Sequence, residues 1–576
     1  MMKNKKALII ICIIVAILLV FTGFLIYRNT TPIGQFNKKI SMLEKMYEKN
    51  TQNEKSISDR TVIISISNGK DKAIVKNSTD KTLKTAFNKA KEQINDIIKE
   101  NNYKTKWVKL DVIHSRDDMA KRDFRMDLMG YEKDYTYRKG LILNYDNRNI
   151  VLTEAELNAN NIISYDDVDL SLDNLNKYLD DNEQDEVDDL PEKVTVFKTK
   201  GFFCDENNKC YELCNEGTDT GRRKIDPINK EDIQKIIDNS KNYLSNMVQG
   251  NGKFVYGYYP LTDKKIDNYN ILRHAGATWA LIKCYNTNEK DANEKLKNID
   301  LAMNYLIENI NQKDENTSYI IEEKNGELKL GANALTIIAM SEYTKTFNNT
   351  KYVDTMKKLG NGILDMQEDD GSFVHVLSQE DYSLKDENRT VYYDGEAMLG
   401  LCRLYDITKD EKYLDSAKKA MQYFMDNNYI QYCDHWISYS INELIKYDDN
   451  KDYYEFGLKN VAENMAYIKS KNYTSHTVFE MLMQCFELYN NIKENNIDIP
   501  YMSEFPEEEF LNLLKEKLDL QINSYMFPEI AMYVENPDKY VDTIFIRQSN
   551  YQIRIDDIQH TILGFNEFVK NYEKIM

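Results

Sequence analysis

The stretch Tyr392–Asn428, YYDGEAMLGLCRLYDITKDEKYLDSAKKAMQYFMDNN, restricts the possible folds of this chain more than any other. Its first part carries Ala397, Met398, Leu399, Leu401, Cys402, Leu404 and Tyr405, apolar on nearly every side, which predicts a helix buried all round. Its second part carries Tyr413, Leu414, Ala417, Ala420, Met421 and Phe424 at i, i+3, i+4 spacing, with lysines and acids between them. That pattern has one apolar stripe and one wet face. Thr408 and Glu411 have the spacing of a capping box that starts the second helix. A buried helix paired with a half-wet one is the unit of a closed double ring, inner helices enclosed by outer ones. The unit recurs. Asn349–Asp354 repeats the pattern of Asp410–Asp415, and Gly252-Lys253-Phe254-Val255-Tyr256 returns as Gly371-Ser372-Phe373-Val374-His375. A recurring helical hairpin calls for a repeat architecture before any other fold.

From Asn229 onward the chain reads as six such pairs. Outer helices are predicted to begin near Lys230, Lys290, Thr350, Asp410, Lys451 and Glu504, and inner ones near Asn270, Gly331, Asp394, His435, His476 and Asp556. Loops before the inner helices are long and rich in Tyr, Gly and Asp, while the reverse turns are short. A ring built this way has one loop-rich face that holds every inner-helix N-terminus.

The residues at those starts are the candidate chemistry. The chain has six histidines, and four of them, His274, His435, His476 and His560, fall at or within the first turn of four separate inner helices. Asp394, Glu396, Asp434, Asp556 and Asp557 stand beside them. If the ring closes, these groups meet in one axial pocket. Asp and Ser at a helix start are also N-caps, and Asp434, Ser475 and the Asp556/Gln559 pair suit that role. Capping does not account for the histidines or for the second acid in Asp556-Asp557 and Asp394-x-Glu396. The catalytic candidates are therefore Asp394, Glu396, Asp556, Asp557, His274 and His435. Helix N-termini favour ionised acids and neutral imidazoles, and a general acid then needs burial or a neighbouring carboxylate. Arg273, Asn333, Tyr256, Tyr392, Tyr393, Trp436, His476 and His560 are the substrate-binding candidates: flat rings suit a sugar's apolar face, and amides and charges suit its hydroxyls. Core packing is the competing role of the aromatics.

On these residues, above all Gly395-Glu396-Ala397 through Tyr405 with Lys412-Tyr413-Leu414 and Ala417, residues 229–576 resemble the six-hairpin (α/α)6 toroid superfamily of carbohydrate-active proteins. That superfamily includes inverting glycosidases, polysaccharide lyases and sugar epimerases. In its hydrolases, paired carboxylates on the loop face act as acid and base. The resemblance implies those roles for Asp394 or Glu396 with Asp556 or Asp557.

The remainder of the 576 residues calls for further domains. Ala7–Tyr27 is an uncharged apolar run preceded by Lys3, Lys5 and Lys6. It predicts a transmembrane anchor (7–27) with a cytoplasmic tail (1–6) and the bulk of the chain outside; a cleaved signal peptide is the alternative. Residues 35–226 alternate strand and helix patterns and predict a mixed α/β accessory domain. The expected fold is thus an N-terminal transmembrane helix, a mixed α/β domain and an all-α (α/α)6 toroid of six hairpins. Cys204, Cys210 and Cys214 lie in a hairpin pattern that allows a Cys204–Cys210 disulfide, whereas no spacing supports a metal site, and no cofactor is implied. The net charge of −19 argues against a nucleic-acid partner. The expected function is that of a membrane-anchored, extracytoplasmic glycoside hydrolase acting on an envelope or secreted polysaccharide. A lyase or uronate epimerase with a His/Tyr pair and a non-catalytic glycan-binding scaffold are the alternatives.

Overall fold

The computed structural model describes residues 30–51, 60–131, 136–146, 148–322 and 324–576. They fall into two compact units: one comprises the chain up to Asp226 with Pro260–Asp263 and Met526–Val541, the other Pro227–Tyr259, Lys264–Tyr525 and Asp542–Met576.

The first unit is built on an antiparallel sheet in the order Ile74–Asp80, Arg60–Ser67, Trp107–Ala120, Lys193–Cys204, Gly140–Asn144, Asn149–Leu152, with Cys210–Glu212 added along Lys193–Cys204. The helices Pro32–Asn50 and Leu83–Asn101 bury Phe36, Ile40, Leu43, Phe87, Ile94 and Ile98 against Val62, Ile64, Val108 and Leu110. Thr82 caps the second of these helices by accepting from the Thr85 N–H, one of the orphan donors of any helix start. Within this unit, Met526–Val541 is anchored by polar bonds. The Arg223 guanidinium forks onto Glu529 at 2.9 and 2.6 Å, and the Tyr533 hydroxyl meets the Ser65 hydroxyl at 2.9 Å. Cys204 and Cys210 face each other in register across the sheet, and both are free thiols.

The second unit is a closed ring. Its inner helices are Ile271–Lys283, Leu330–Phe347, Tyr392–Thr408, His435–Leu444, His476–Glu494 and Ile555–Ile575; each packs on the next, and the last packs on the first. The outer layer is Lys230–Asn246, Ala292–Glu308, Val353–Asp365, Glu411–Asp426, Lys451–Ala462 and Glu507–Ile522. Burial differs between layers as a double ring requires. In Tyr392–Thr408 every residue from Tyr393 to Leu404 is buried, whereas Glu411–Asp426 buries only Tyr413, Leu414, Ser416, Ala417, Ala420, Met421 and Phe424. A fully buried leucine such as Leu399 or Leu401 contributes about 1.5–3 kcal/mol. The second hairpin helix is capped by Asp410, not by Thr408. The Thr408 hydroxyl is already bonded to the Leu404 carbonyl at 2.8 Å, as the last residue of the preceding helix. Gly252 and Gly371, the glycines of the repeated phrase, take φ of +83° and +100°. A Cβ there would lie 2.2 Å from the Leu301 carbonyl oxygen and 2.5 Å from that of Lys419. The repeat therefore marks the sharp exit from an outer helix pressed on the backbone of the next.

Further expectations are corrected. The ring unit is not all-α: its long loops pair as strands. Ser318–Glu322, Glu327–Lys329, Val376–Ser378 and Leu384–Asp386 lie in one five-stranded sheet, and Gly257–Tyr259 pairs with Ile553–Arg554 in a three-stranded one. Long loops folded over a core must satisfy their backbone groups, and pairing does so. The transmembrane helix and the single-pass localisation are also corrected, and the membrane partner is left without support. Among the described residues no helix is long and apolar enough to cross a membrane. A span needs about 20 predominantly apolar residues, and the longest described helix, Ile555–Ile575, carries Asp556, Asp557, Glu567, Lys570, Glu573 and Lys574. The run Ala7–Tyr27 lies outside the described residues.

Candidate active site

The inner-helix N-termini carry the polar groups, and their loops hold them in place. The loop before the first inner helix and the loop before the last are tied by the pairing of Gly257 with Arg554. That pairing fixes Arg554 at the mouth of the last inner helix, where its guanidinium grips Asp557 in two bonds of 2.8 and 2.7 Å. Asp556 lies 3.5 Å from Arg273 of the first inner helix and 3.8 Å from Arg554. Burial works against ionisation of Asp556, but Arg273 and Arg554 outweigh it and hold the carboxyl below its usual range. In Asp557, burial and then the Asp556 charge prevail over Arg554 and push the value up to about 6.

Across the ring, Glu396 is buried at the start of the second turn of Tyr392–Thr408. Burial pushes it well above the usual carboxylate range; Arg273 opposes this, and Asp434 and Asp394 add to it. Glu396 Oε2 and Asp556 Oδ1 are buried oxygens with no hydrogen-bond partner. Gly331 makes room for the first of these, since a Cβ there would sit 2.1 Å from Glu396 Oε2 and 2.7 Å from the Tyr393 ring. Gly331→Ala would gain about 1 kcal/mol of helix propensity but overpack by about 1–3 kcal/mol. The expected result is a lower melting temperature and a displaced Glu396, checked by thermal unfolding and by activity.

Asp394 is also buried, and burial raises its pKa against the pull of His375 and Tyr429. His375, a histidine that the helix-start pattern passes over, contacts it at 3.2 Å through Nε2. The backbone N–H groups of Arg389 and Thr390 both donate to His375 Nδ1, at 2.9 and 3.2 Å. Nε2 therefore carries the proton and donates to Asp394. Arg389 is itself held by a two-bond pairing with Glu327.

A third cluster joins the fourth, fifth and sixth inner helices. His560 Nδ1 lies 2.6 Å from Glu480 Oε2, the Tyr439 hydroxyl donates to Glu480 Oε1 at 2.9 Å, and His435 Nε2 approaches Glu480 Oε2 to 3.9 Å. Burial pushes Glu480 up to about 8 and His560 down to about 3, so each favours its neutral form. Glu480 is absent from the candidates above; the signal for it is its place one turn after His476. His476 bonds Gln521 and Thr561 through Nδ1, leaves Nε2 buried without a partner, and is lowered by burial to about 3.

Arg273, Glu396, Asp434, His435, His476, Asp556, Asp557 and His560 thus gather at the loop-face end of the ring. Arg273 is about a third exposed, with its side chain at 35%. Tyr392 is exposed and packs edge-to-face on His435 at 5.6 Å, while Tyr393 packs on His375 and Tyr256 lies in the field of Asp556. Asp434 caps its helix through the Trp436 N–H. Three candidates are occupied elsewhere. His274 uses both nitrogens, Nε2 donating to the Ala302 carbonyl and Nδ1 accepting from the Tyr269 hydroxyl, and packs between Phe254 and Tyr305. Asn333 clamps the loop strand, accepting from the Ile320 N–H and donating to the Ser318 and Leu359 carbonyls. Trp436 is buried against Trp279 at 6.0 Å.

No protein-family profile and no curated protein matches the chain. Among solved structures, a sugar epimerase from a ruminal bacterium aligns at 14% identity and TM-score 0.42, over 59% of this chain and 98% of its own. A D-mannose isomerase aligns at 11% and 0.45, over 60% and 98%. A GH76 alpha-mannanase from Bacteroides thetaiotaomicron aligns at 11% and 0.43, over 60% and 97%. At identities of 11–14% and TM-scores of 0.42–0.45, these alignments assign no activity to the chain.

Proposed function

We propose that the ring unit is a carbohydrate-active enzyme, a glycoside hydrolase acting on an oligosaccharide or polysaccharide, with Glu396 as general acid and Asp556 as general base. One observation carries the reading. Two buried carboxyls, each with an unpartnered oxygen, share the field of Arg273 and lean toward opposite protonation states. Groups pushed apart in this way are what acid–base division of labour requires. Glu396 protonates the leaving oxygen as the glycosidic bond breaks; Asp556 takes a proton from the water that attacks the opposite face, which inverts the anomeric centre. Asp557, fixed by Arg554, positions its neighbour. His476 and Tyr392 orient sugar hydroxyls.

The test is incubation of the purified protein with a panel of oligosaccharides, reading new reducing ends and their anomeric configuration by NMR. Release of inverted product supports the reading. Deuterium entering an uncleaved sugar would replace hydrolysis with proton abstraction, and an unchanged, bound oligosaccharide would leave a binding scaffold.

The pH profile follows from the same pair. Activity needs Asp556 ionised and Glu396 protonated. It should therefore fall at acid pH, below the usual Asp range, where Asp556 takes up its proton, and fall at alkaline pH where Glu396 loses its own, well above the usual Glu range. A broad bell in kcat/KM spanning neutrality is expected. A single acid limb near the ordinary carboxylate value would contradict the assignment.

A further inference from the structure

We propose that His435, Glu480 and His560 form a divalent transition-metal site, with Zn²⁺ the fitting ion, held by two imidazole nitrogens and one carboxylate oxygen and open at a fourth position. The inference goes beyond the hydrolytic reading and does not rest on it.

The three side chains come from three successive inner helices of the ring, and one donor atom from each lies within 4.8 Å of the other two. All three residues are buried: His435 is 2% exposed, Glu480 1% and His560 6%. Most buried polar side-chain atoms are hydrogen-bonded, whereas His435 Nε2, facing the other two residues, has no hydrogen-bond partner. Its nearest charged neighbour is Glu480 Oε2, at 3.9 Å. The other ring nitrogen explains the orientation. His435 Nδ1 stands 3.4 Å from Asp434 Oδ1, and a carboxylate there keeps the proton on Nδ1 and the lone pair on Nε2, the arrangement that metal-bound histidines use. Glu480 is prepared likewise: the Tyr439 hydroxyl occupies Oε1, and Oε2 is turned to both histidines.

Spacing and ligand type then select the metal. Bonds of about 2.0–2.1 Å in a tetrahedron set donors roughly 3.3 Å apart. The 2.6 Å His560–Glu480 pair must open and the 3.9 Å His435–Glu480 pair must close, each by less than about 1 Å. Two imidazoles and one carboxylate with an open position suit Zn²⁺, and the absence of any thiolate from the set argues against a soft-metal or cluster site. Ca²⁺ and Mg²⁺, which prefer all-oxygen shells, do not fit. The open position would take water or a substrate hydroxyl.

The experiment titrates Zn²⁺ alone into the chelator-stripped full chain by calorimetry, and Co²⁺ in parallel by visible absorption. One equivalent of Zn²⁺ with a raised melting temperature, and a tetrahedral cobalt spectrum without thiolate charge-transfer bands, are expected. Glu480→Gln keeps the size and hydrogen-bonding capacity of the side chain and should abolish the equivalent. Asp434→Asn still caps its helix and should weaken binding by about 10–100-fold through its hold on His435. Circular dichroism confirms that each variant is folded. No stoichiometric binding overturns the proposal. So does a cobalt spectrum dominated by thiolate bands, which would place the ion on the free cysteines, and so does undiminished binding in folded Glu480→Gln protein.

Discussion

Glu396→Gln is expected to lower kcat for a natural glycan by about 10²–10⁴-fold, the range for loss of a positioned general acid. The fold should survive, because glutamine has the same shape, and Glu396 Oε2 makes no hydrogen bond that the substitution breaks. The diagnostic is leaving-group dependence. An aryl glycoside with an acidic phenol needs no protonation as it leaves, so Glu396→Gln should hydrolyse it at close to the native rate. Asp556→Asn removes the group that activates water and should be inactive on both substrates. Asp557→Asn, which loosens the grip of Arg554 without removing the base, should show a smaller loss on both. The measurement is kcat and kcat/KM for the paired substrates across the three variants. Equal losses for the two substrates in Glu396→Gln would remove it from the role of acid. Unchanged activity in both Glu396→Gln and Asp556→Asn would remove the site altogether.

How much of this is legible in the chain depends on the range of the interaction that decides it. Helical hairpins are local. The stripe of Tyr413, Leu414, Ala417, Ala420, Met421 and Phe424 is visible because helix burial follows a 3.6-residue period. The short loop strands escape that reading: Glu327–Lys329 is three residues long, too few to show an alternation, and it exists because Val376–Ser378 lies beside it. The site divides in the same way. The histidines are visible as a set because four inner helices carry one at or near their starts. The use each one is put to is decided by partners far away in sequence. Ala302 and Tyr269 retain His274 in the packing between inner and outer helices. Glu480, 80 residues from His560, gives that imidazole its role. His375 precedes its inner helix by a long loop, so only its contact with Asp394 marks it. Asn333 shows the converse, a polar residue at an inner-helix start whose three bonds all go to loop and helix backbone.

The first unit makes the second large prediction, and it concerns stability. Lys109 and Asp111 are two residues apart on the strand Trp107–Ala120, so both point to one face of the sheet, and both are 1% exposed. Lys109 Nζ lies 3.2 Å from Asp111 and 3.4 Å from Glu154, with the Tyr533 ring 5.4 Å away. Lys109→Met fits the space but leaves two buried acids facing each other without a cation. Removing one partner of a buried ion pair costs about 3–5 kcal/mol, a large share of the stability of any domain. Hydrogen exchange in the strands Arg60–Ser67 and Lys193–Cys204 should accelerate accordingly, with the ring helices unaffected. The pH dependence has a definite sign. Burial, opposed by Lys109, already raises Asp111 to about 6, above the unfolded value of about 3.9. A raised acid favours folding at low pH, and that contribution fades as the pH climbs through the folded value. Without Lys109 the opposing charge is gone and the folded value climbs further. The deficit of Lys109→Met should therefore shrink on acidification from about pH 8 to about pH 5, as the stranded acids take up protons. Adding Asp111→Asn should recover much of the loss at neutral pH, because the amide carries no charge to strand. A deficit that is the same at both pH values, or one below about 1 kcal/mol, would mean that the methionine is tolerated by packing alone and that the buried charges are not what the strand register protects.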